Sequence, residues 1–312
     1  MKKTSFKISM MAIIIATLFS TSCKKEKTNE IDGNNDPKTT YSSVYEFIKS
    51  LAPEMQKFTI NATTGGTIKG TAGTNINFTA GSLMKSGVPV TGNVEITLQE
   101  IRTKRDMMST GVFTGSFDGQ ILESDGMFFI DARQDGVQLE IDPNNPMEVE
   151  MPAVDNLPDS TMILFIGVAD SINRDNVAWK PNKVPVGNSQ NAYVFKWYNF
   201  GFCNIDRYYD PNCSGDLEIT IPSNYDPNKT SIMIIFEDVH AEAATYKLSS
   251  GKFATLYCLP LNRKIKLLCV SIIDEKLYFS LTDETTEATM RYTIPEGKLT
   301  SEVALDAILK SF

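Results

Sequence analysis

One histidine, four cysteines beyond residue 23 and 38 acidic residues are what this chain offers to chemistry. His240 alone would carry any imidazole acid–base step. It follows Glu237, Asp238 and Val239 at the end of an apolar run, with no G-x-S-x-G serine elbow in the chain, and reads as a surface residue. No G-x-G-x-x-G, Walker loop or H-E-x-x-H occurs, and no cofactor is implied. Glycoside hydrolysis needs two carboxylates roughly 5–10 Å apart. The acids supply many such pairs, which keeps a carboxylate hydrolase open as a reading and singles out no pair. Asp210, Asn212 and Ser214 fit the opening of an oxygen-ligand calcium loop, D-x-N-x-S-G, but Ile221 stands where the bidentate glutamate belongs. The same residue types simply make turns, so this is a weak metal candidate. Trp179, in a Pro/Asn-rich loop, and the consecutive Tyr208 and Tyr209 are candidates for stacking on sugar faces. The alternative places Trp179 and Trp197 in the core.

The elements that would hold these groups begin with a leader. Lys2, Lys3 and Lys7 precede an apolar stretch, 8–19, too short to span roughly 30 Å of hydrocarbon. Thr21-Ser22-Cys23 follows and resembles a bacterial lipobox, with Ser20 where leucine is commonest; Cys23 is then the acylated mature N-terminus. Segment 24–40 has Ile31 as its only large apolar residue and reads as a disordered tether. At about 5–6 Å times the square root of its length, it holds the folded part roughly 20–25 Å from the membrane. The expected partner is therefore the membrane, through the anchor, in an outer-membrane lipoprotein facing the periplasm or the cell surface. Loss of the three leader lysines reduces 30 basic residues to 27 against 38 acids, a balance of −11, which argues against nucleic acid. Arg102, Lys104 and Arg105 cluster between Glu100 and Asp106 and read as a solvated loop.

In an exported chain, Cys203, Cys213, Cys258 and Cys269 favour disulfides, with three pairings open. Spacing favours Cys258–Cys269, on consecutive strands about a turn near Asn262, and Cys203–Cys213, closing a loop; buried free thiols are the alternative. No C-x-x-C accompanies them, which argues against zinc. Val44, Phe47, Ile48 and Leu51 predict a short helix capped by Ser42 or Ser43 and stopped by Pro53. Alternating residues from Phe58 to Met151 predict antiparallel strands, and Pro143, Pro146, Pro152 and Pro158 mark a boundary. Strands are expected at 161–168, 192–197, 217–221, 232–236, 245–248, 253–258, 265–273, 277–281 and 288–294. The last seven suggest an immunoglobulin-like sandwich, and Leu305, Ile308, Leu309 and Phe312 a closing helix capped by Thr300 or Ser301.

Gly65-Gly66-Thr67-Ile68, Gly73 to Phe78, Ala80 to Leu83 and Val94 to Leu98 carry a resemblance. Residues 58–141 resemble the β-sandwich domain shared by ankyrins, zonula occludens proteins and netrin receptors, with Thr79 where the family has proline. Met107 to Gly111 and Leu122 to Ile130 are more similar to bacterial envelope relatives of that domain. The resemblance implies a sandwich. It implies neither self-cleavage, since His240 is followed by Ala241 and no His-Phe-Ser triplet occurs, nor cytoskeletal binding in an exported chain.

The sequence therefore predicts a mainly β chain: a leader (1–22), a tether (23–40), an N-terminal antiparallel sandwich with a short helix (41–152), and a C-terminal immunoglobulin-like domain (153–312). The leading function is a non-catalytic binding or scaffolding module of the envelope, with another envelope protein or a glycan as partner. A glycan-binding accessory protein and a carboxylate hydrolase are the alternatives. Labelled palmitate is expected to enter the wild-type protein, and Cys23→Ala to abolish both incorporation and membrane fractionation; label retained by the variant would refute the anchor.

Overall fold

Side-chain alternation becomes strand pairing across most of the chain in the computed structural model, which describes residues 36–169, 177–210, 213–248 and 251–312. The fold is mainly β, with several sheets and three short α-helices among the described residues. A seven-stranded sheet runs Gln56–Asn61, Asn93–Ile101, Leu122–Gln134, Gly201–Tyr208, Ile163–Ala169, Val177–Pro181, with Val137–Gln138 added to Leu122–Gln134. A five-stranded sheet runs Val186–Ser189, Ala192–Trp197, Met147–Pro152, Asn75–Phe78, Gly66–Lys69. One apolar cluster takes Ile96, Leu98, Phe128, Ile130, Leu164 and Ile205 from the first sheet and Ile76, Phe78, Met147, Val149, Tyr193 and Trp197 from the second. Fully burying side chains of this size is worth about 1.5–3 kcal/mol each, and that shared interior joins the two layers.

Both sheets draw strands from either side of residue 152. Leu122–Gln134 pairs with Gly201–Tyr208, and Asn75–Phe78 and Ala192–Trp197 both pair with Met147–Pro152. The expected boundary between 152 and 153 is therefore not where the sheets part. The prolines there end one strand and turn the chain, but the hydrogen-bonding edges they leave are filled by later strands.

A small three-stranded sheet joins Val88–Pro89, Leu83–Lys85 and Glu140–Ile141, and an eight-stranded sheet runs Thr289–Thr293, Asp216–Thr220, Lys252–Thr255, Glu242–Lys247, Thr230–Phe236, Lys264–Ile273, Lys276–Thr285, Lys298–Thr300. The strands fall close to their expected positions. One pair is parallel, Leu217 opposite Met290 and Ile219 opposite Tyr292, contrary to an all-antiparallel expectation. Leu217, Ile234, Phe236, Leu267 and Met290 form the cluster on one face of this sheet. The other face is covered by helices.

Helix Val44–Lys49, capped by Ser43, and helix Glu302–Leu309, capped by Ser301, place Val44, Phe47, Leu305 and Leu309 in a cluster with Met233, Leu268, Val270 and Leu277. The first helix thus packs on the eight-stranded sheet, not on the N-terminal strands that follow it. Between them lies a helix the sequence reading missed, Lys104–Thr110. Thr103 and Asp106 form a capping box, and Gly111 closes it at φ 72°, a left-handed conformation that glycine adopts freely. Met107 and Met108 are buried. Arg105 pairs with Asp306 at 2.8 Å, and Lys104 Nζ donates to the Phe236 carbonyl at 2.5 Å. Of the basic cluster expected in a solvated loop, Lys104 and Arg105 thus lie on a docking helix, and Arg102 precedes its cap.

Neither expected disulfide forms. Cys213 is bonded to Cys258 with Cα atoms 5.6 Å apart, and Cys203 and Cys269 are buried free thiols. Lys252–Thr255 pairs with Asp216–Thr220 and Glu242–Lys247 rather than with Lys264–Ile273. Cys258 therefore never meets Cys269, whose cross-strand neighbours are Ile232 and Ser280. Cys203 points into the first core. The Gly215–Leu259 bridge instead carries Cys213 to Cys258. Burial raises the Cys203 thiol well above its usual range and pushes Cys269 up to about 12, so both are poor nucleophiles. Non-reduced peptide mapping should recover the 213–258 link, and native Cys203 and Cys269 should resist alkylation. Closing a loop of 45 residues, the bond should contribute up to about 4 kcal/mol of stability, lost in Cys213→Ala; a 203–213 link would refute the register.

Candidate binding groove

The five-stranded sheet turns one face to the core and the other outward, and the outward face carries a cavity of about 730 Å³. Alternation along Met147–Pro152 sends Met147, Val149 and Met151 inward and leaves Glu148 and Glu150 exposed. Ala192–Trp197 likewise buries Tyr193, Phe195 and Trp197 and exposes Val194 and Lys196. Asn75 and Asn77 alternate with buried Ile76 and Phe78. The register then assembles two rows across the sheet. One is Thr67, Asn77, Glu148, Lys196; the other is Lys69, Asn75, Glu150, Val194, Gly187. Val184 and Pro185, from the loop after Val177–Pro181, and half-buried Tyr198 complete the lining.

Two hydrogen bonds fix part of this surface. Thr67 Oγ1 donates to Asn77 Oδ1 at 3.1 Å, and Asn77 Nδ2 donates to Glu148 Oε2 at 3.2 Å. The amide is thus oriented by both neighbours, and Glu148 keeps one oxygen for a ligand. Donors, acceptors, a phenol ring and aliphatic walls converge in one open concavity, the usual make-up of a small-molecule site. Sequence reading missed it because each polar residue looked like a solvated strand position. The one available signal was the polar–apolar alternation at 75–78 and 147–152, which needs the register to become a site.

The residues singled out from sequence lie elsewhere. Trp179 is fully buried, its Nε1 donating to the Phe113 carbonyl at 2.7 Å, its ring edge-on to Phe202. It offers no face to a sugar. Tyr208 packs edge-on against Phe165, its hydroxyl 3.1 Å from Asp118, and burial beside that carboxylate pushes it up to about 12. Tyr209 turns to the other cluster, against Phe236, with Arg263 over its ring at 5.0 Å and its hydroxyl on Asp238. Tyr208 is the last residue of its strand and Tyr209 sits in the bend that follows, where the two rings part. Asp210 and Ser214 are described and Asn212 is not; Cys23 also lies outside the described residues, as does the whole leader. No group of three His, Cys, Asp or Glu suited to a metal occurs among the described residues.

Strongly perturbed acids gather away from the groove, where the two main cores meet. Arg102 is half-buried: Nη2 donates to the Pro152 carbonyl, Asp106 accepts from its backbone, and Gly126 at φ 110° leaves room for the guanidinium, which a Cβ would strike. Burial lowers its pKa, and nearby Asp125 opposes that shift. Asp125 accepts from Tyr193 and from the Val154 backbone, yet burial still raises its carboxyl. His240, half-buried rather than on the surface, donates from Nδ1 to the Ser124 carbonyl at 2.9 Å, and burial lowers its pKa. Asp206 and Glu242 are fully buried and held well above the usual carboxylate range by desolvation. Asn204 donates to Asp206, but both Glu242 oxygens lack hydrogen-bond partners. Without solvent access, these acids are structural.

No protein-family model matches the chain, and no curated protein matches it.

Asp206 carries a pH prediction. A carboxyl raised in the folded state contributes stability that is whole below its unfolded pKa, near 4, and is lost as pH rises toward the folded value. Between pH 5 and 8 the wild type should lose more stability than Asp206→Asn, the difference reaching at most about 1.4 kcal/mol per pH unit. Urea midpoints at both pH values measure it, and parallel slopes would show that Asp206 is ionised in the fold.

Proposed function

We propose that this protein is a lipid-anchored binding module of the cell envelope that takes a saccharide, without turning it over, in the groove on the five-stranded sheet. The observation that carries this reading is the row Thr67, Asn77, Glu148, pre-oriented by hydrogen bonds and flanked by Tyr198, Val184 and Pro185. Amide and carboxylate groups match the paired donor and acceptor character of vicinal hydroxyls, while the phenol ring and aliphatic walls suit the C–H faces of a sugar ring. The glycan reading therefore moves from Trp179, Tyr208 and Tyr209 to this surface. Acylation of Cys23 and a tether shorter than expected are the proposed means of holding it at the membrane: of the expected tether, 36–40 are packed on the folded body, with Asp36 paired to Lys276 and buried Thr39 donating to the Glu275 carbonyl and to Glu302. The two layers sharing one core are read as the first sandwich, consistent with the resemblance of residues 58–141, and the eight-stranded sheet with its helices as a second domain.

A hydrolytic reading has one observation in its favour. Glu148 and Glu150 stand two residues apart on one strand, about 7 Å between α-carbons, within the separation glycosidases use. Both rise from the same face, however, and do not flank a bond from opposite sides. Titration calorimetry of the full chain in detergent against neutral and charged oligosaccharides should give saturable binding to at least one, with no reducing ends released. Asn77→Ala and Tyr198→Ala should each weaken it about tenfold, the scale of one lost hydrogen bond or stacking contact, and Tyr208→Phe should not. Absence of binding across the set would end this reading; turnover abolished by Glu148→Gln would replace it with hydrolysis.

A further inference from the structure

Charge across the groove is uneven, and this bears on which saccharide it takes, an inference resting on the proposed function of the groove. Glu148 is compensated: Asn77 Nδ2 donates to it, and Lys196 is its register neighbour on the adjacent strand. Glu150 is not so placed. Its register neighbours are Asn75 and Val194, neither of which carries charge. Along that row Lys69 lies beyond Asn75, two strand spacings away, or about 9–10 Å. On the other side, beyond Val194, the register position is Gly187, which projects no side chain over the sheet. The exposed Glu150 carboxylate, with Lys196 only as a diagonal neighbour, lies in a concavity whose lining holds two carboxylates and one ammonium, and that ammonium already stands directly opposite Glu148.

We infer that the groove selects a saccharide bearing a free amine, an amino sugar whose ammonium Glu150 receives. A uronic acid or a phosphorylated sugar meets net negative charge there and is repelled. A neutral sugar satisfies the Thr67–Asn77–Glu148 row but leaves Glu150 without a counter-charge. The ammonium adds a charge-assisted hydrogen bond, roughly twice the strength of a neutral one, in a lining that holds one carboxylate more than it holds ammonium groups. The hydroxyls of the same ring keep the bonds of the first row.

The test is calorimetry on the full chain in detergent at pH 6 with a glucosamine tetramer, its fully N-acetylated counterpart and a galacturonate tetramer. These ligands share a size and differ in charge. The amine form should bind about tenfold more tightly than the acetylated form, the scale of one charge-assisted hydrogen bond, and the galacturonate weakest. Glu150→Gln should bring the amine form down to the affinity of the acetylated form, whereas Tyr208→Phe, outside the groove, should keep the tenfold preference. Equal affinities for the amine and acetylated forms, or a preference that survives Glu150→Gln, overturn the inference while saccharide binding itself stands. A short lysine peptide binding more tightly than any saccharide overturns it in favour of a peptide ligand. If no saccharide binds, the proposed function fails and the inference fails with it.

Discussion

Everything proposed for this protein depends on the register of one central strand. Met147–Pro152 is clamped on both sides, Val149 opposite Ile76 on one neighbour and opposite Phe195 on the other. A strand's side chains repeat every two residues, so a slip of one position would drive Glu148 and Glu150 into the core and expel Met147, Val149 and Met151. The cost of burying two carboxylates makes that slip inaccessible. The same pairing therefore closes the core beneath the sheet and assembles the polar rows above it. Core and groove are two faces of one constraint.

A second constraint acts where the apolar clusters meet. Glu100, buried, accepts from the backbones of Ala72 and Thr74 and from Gln56, which ties the 70–74 loop to the neighbouring sheet, and a Cβ at position 70 would strike its carboxylate. Arg102, Asp125 and Tyr193 continue the polar network toward Pro152. Such buried groups are costly unless partnered, and the partners here come from segments far apart in sequence. Helix Lys104–Thr110 extends the connection, with Lys104 reaching the Phe236 carbonyl and Arg105 reaching Asp306. Three segments widely separated in sequence are thereby held to one another by polar contacts as well as by packing.

The candidate site was the least legible part. Rings and thiols are the chemically distinctive side chains of this sequence, yet the Trp179 indole donates to the Phe113 carbonyl and its faces lie in the core. The cysteines were paired by their distance along the chain, whereas Cys213 and Cys258 meet because of the Gly215–Leu259 bridge. Asn77 and Glu148, 71 positions apart, carry no mark of their association. Arg102, Lys104 and Arg105 looked solvated because a short sequence window shows the charges and not their partners.

Local patterning alone determined the mainly β character, the strands between 216 and 293, and both terminal helices with their capping regions, but not Val177–Pro181, Val186–Ser189 or Gly201–Tyr208. Those features follow from side-chain period and capping chemistry, which act over a few residues. Tertiary structure alone decided which strands are neighbours, that Val44–Lys49 packs on the eight-stranded sheet, which cysteines bond, and that polar side chains from separate strands share one concavity. The reason is physical: periodicity fixes which way a side chain points, while its neighbours across a sheet are set by competition among all edges of the chain for hydrogen-bonding partners and a common apolar interior.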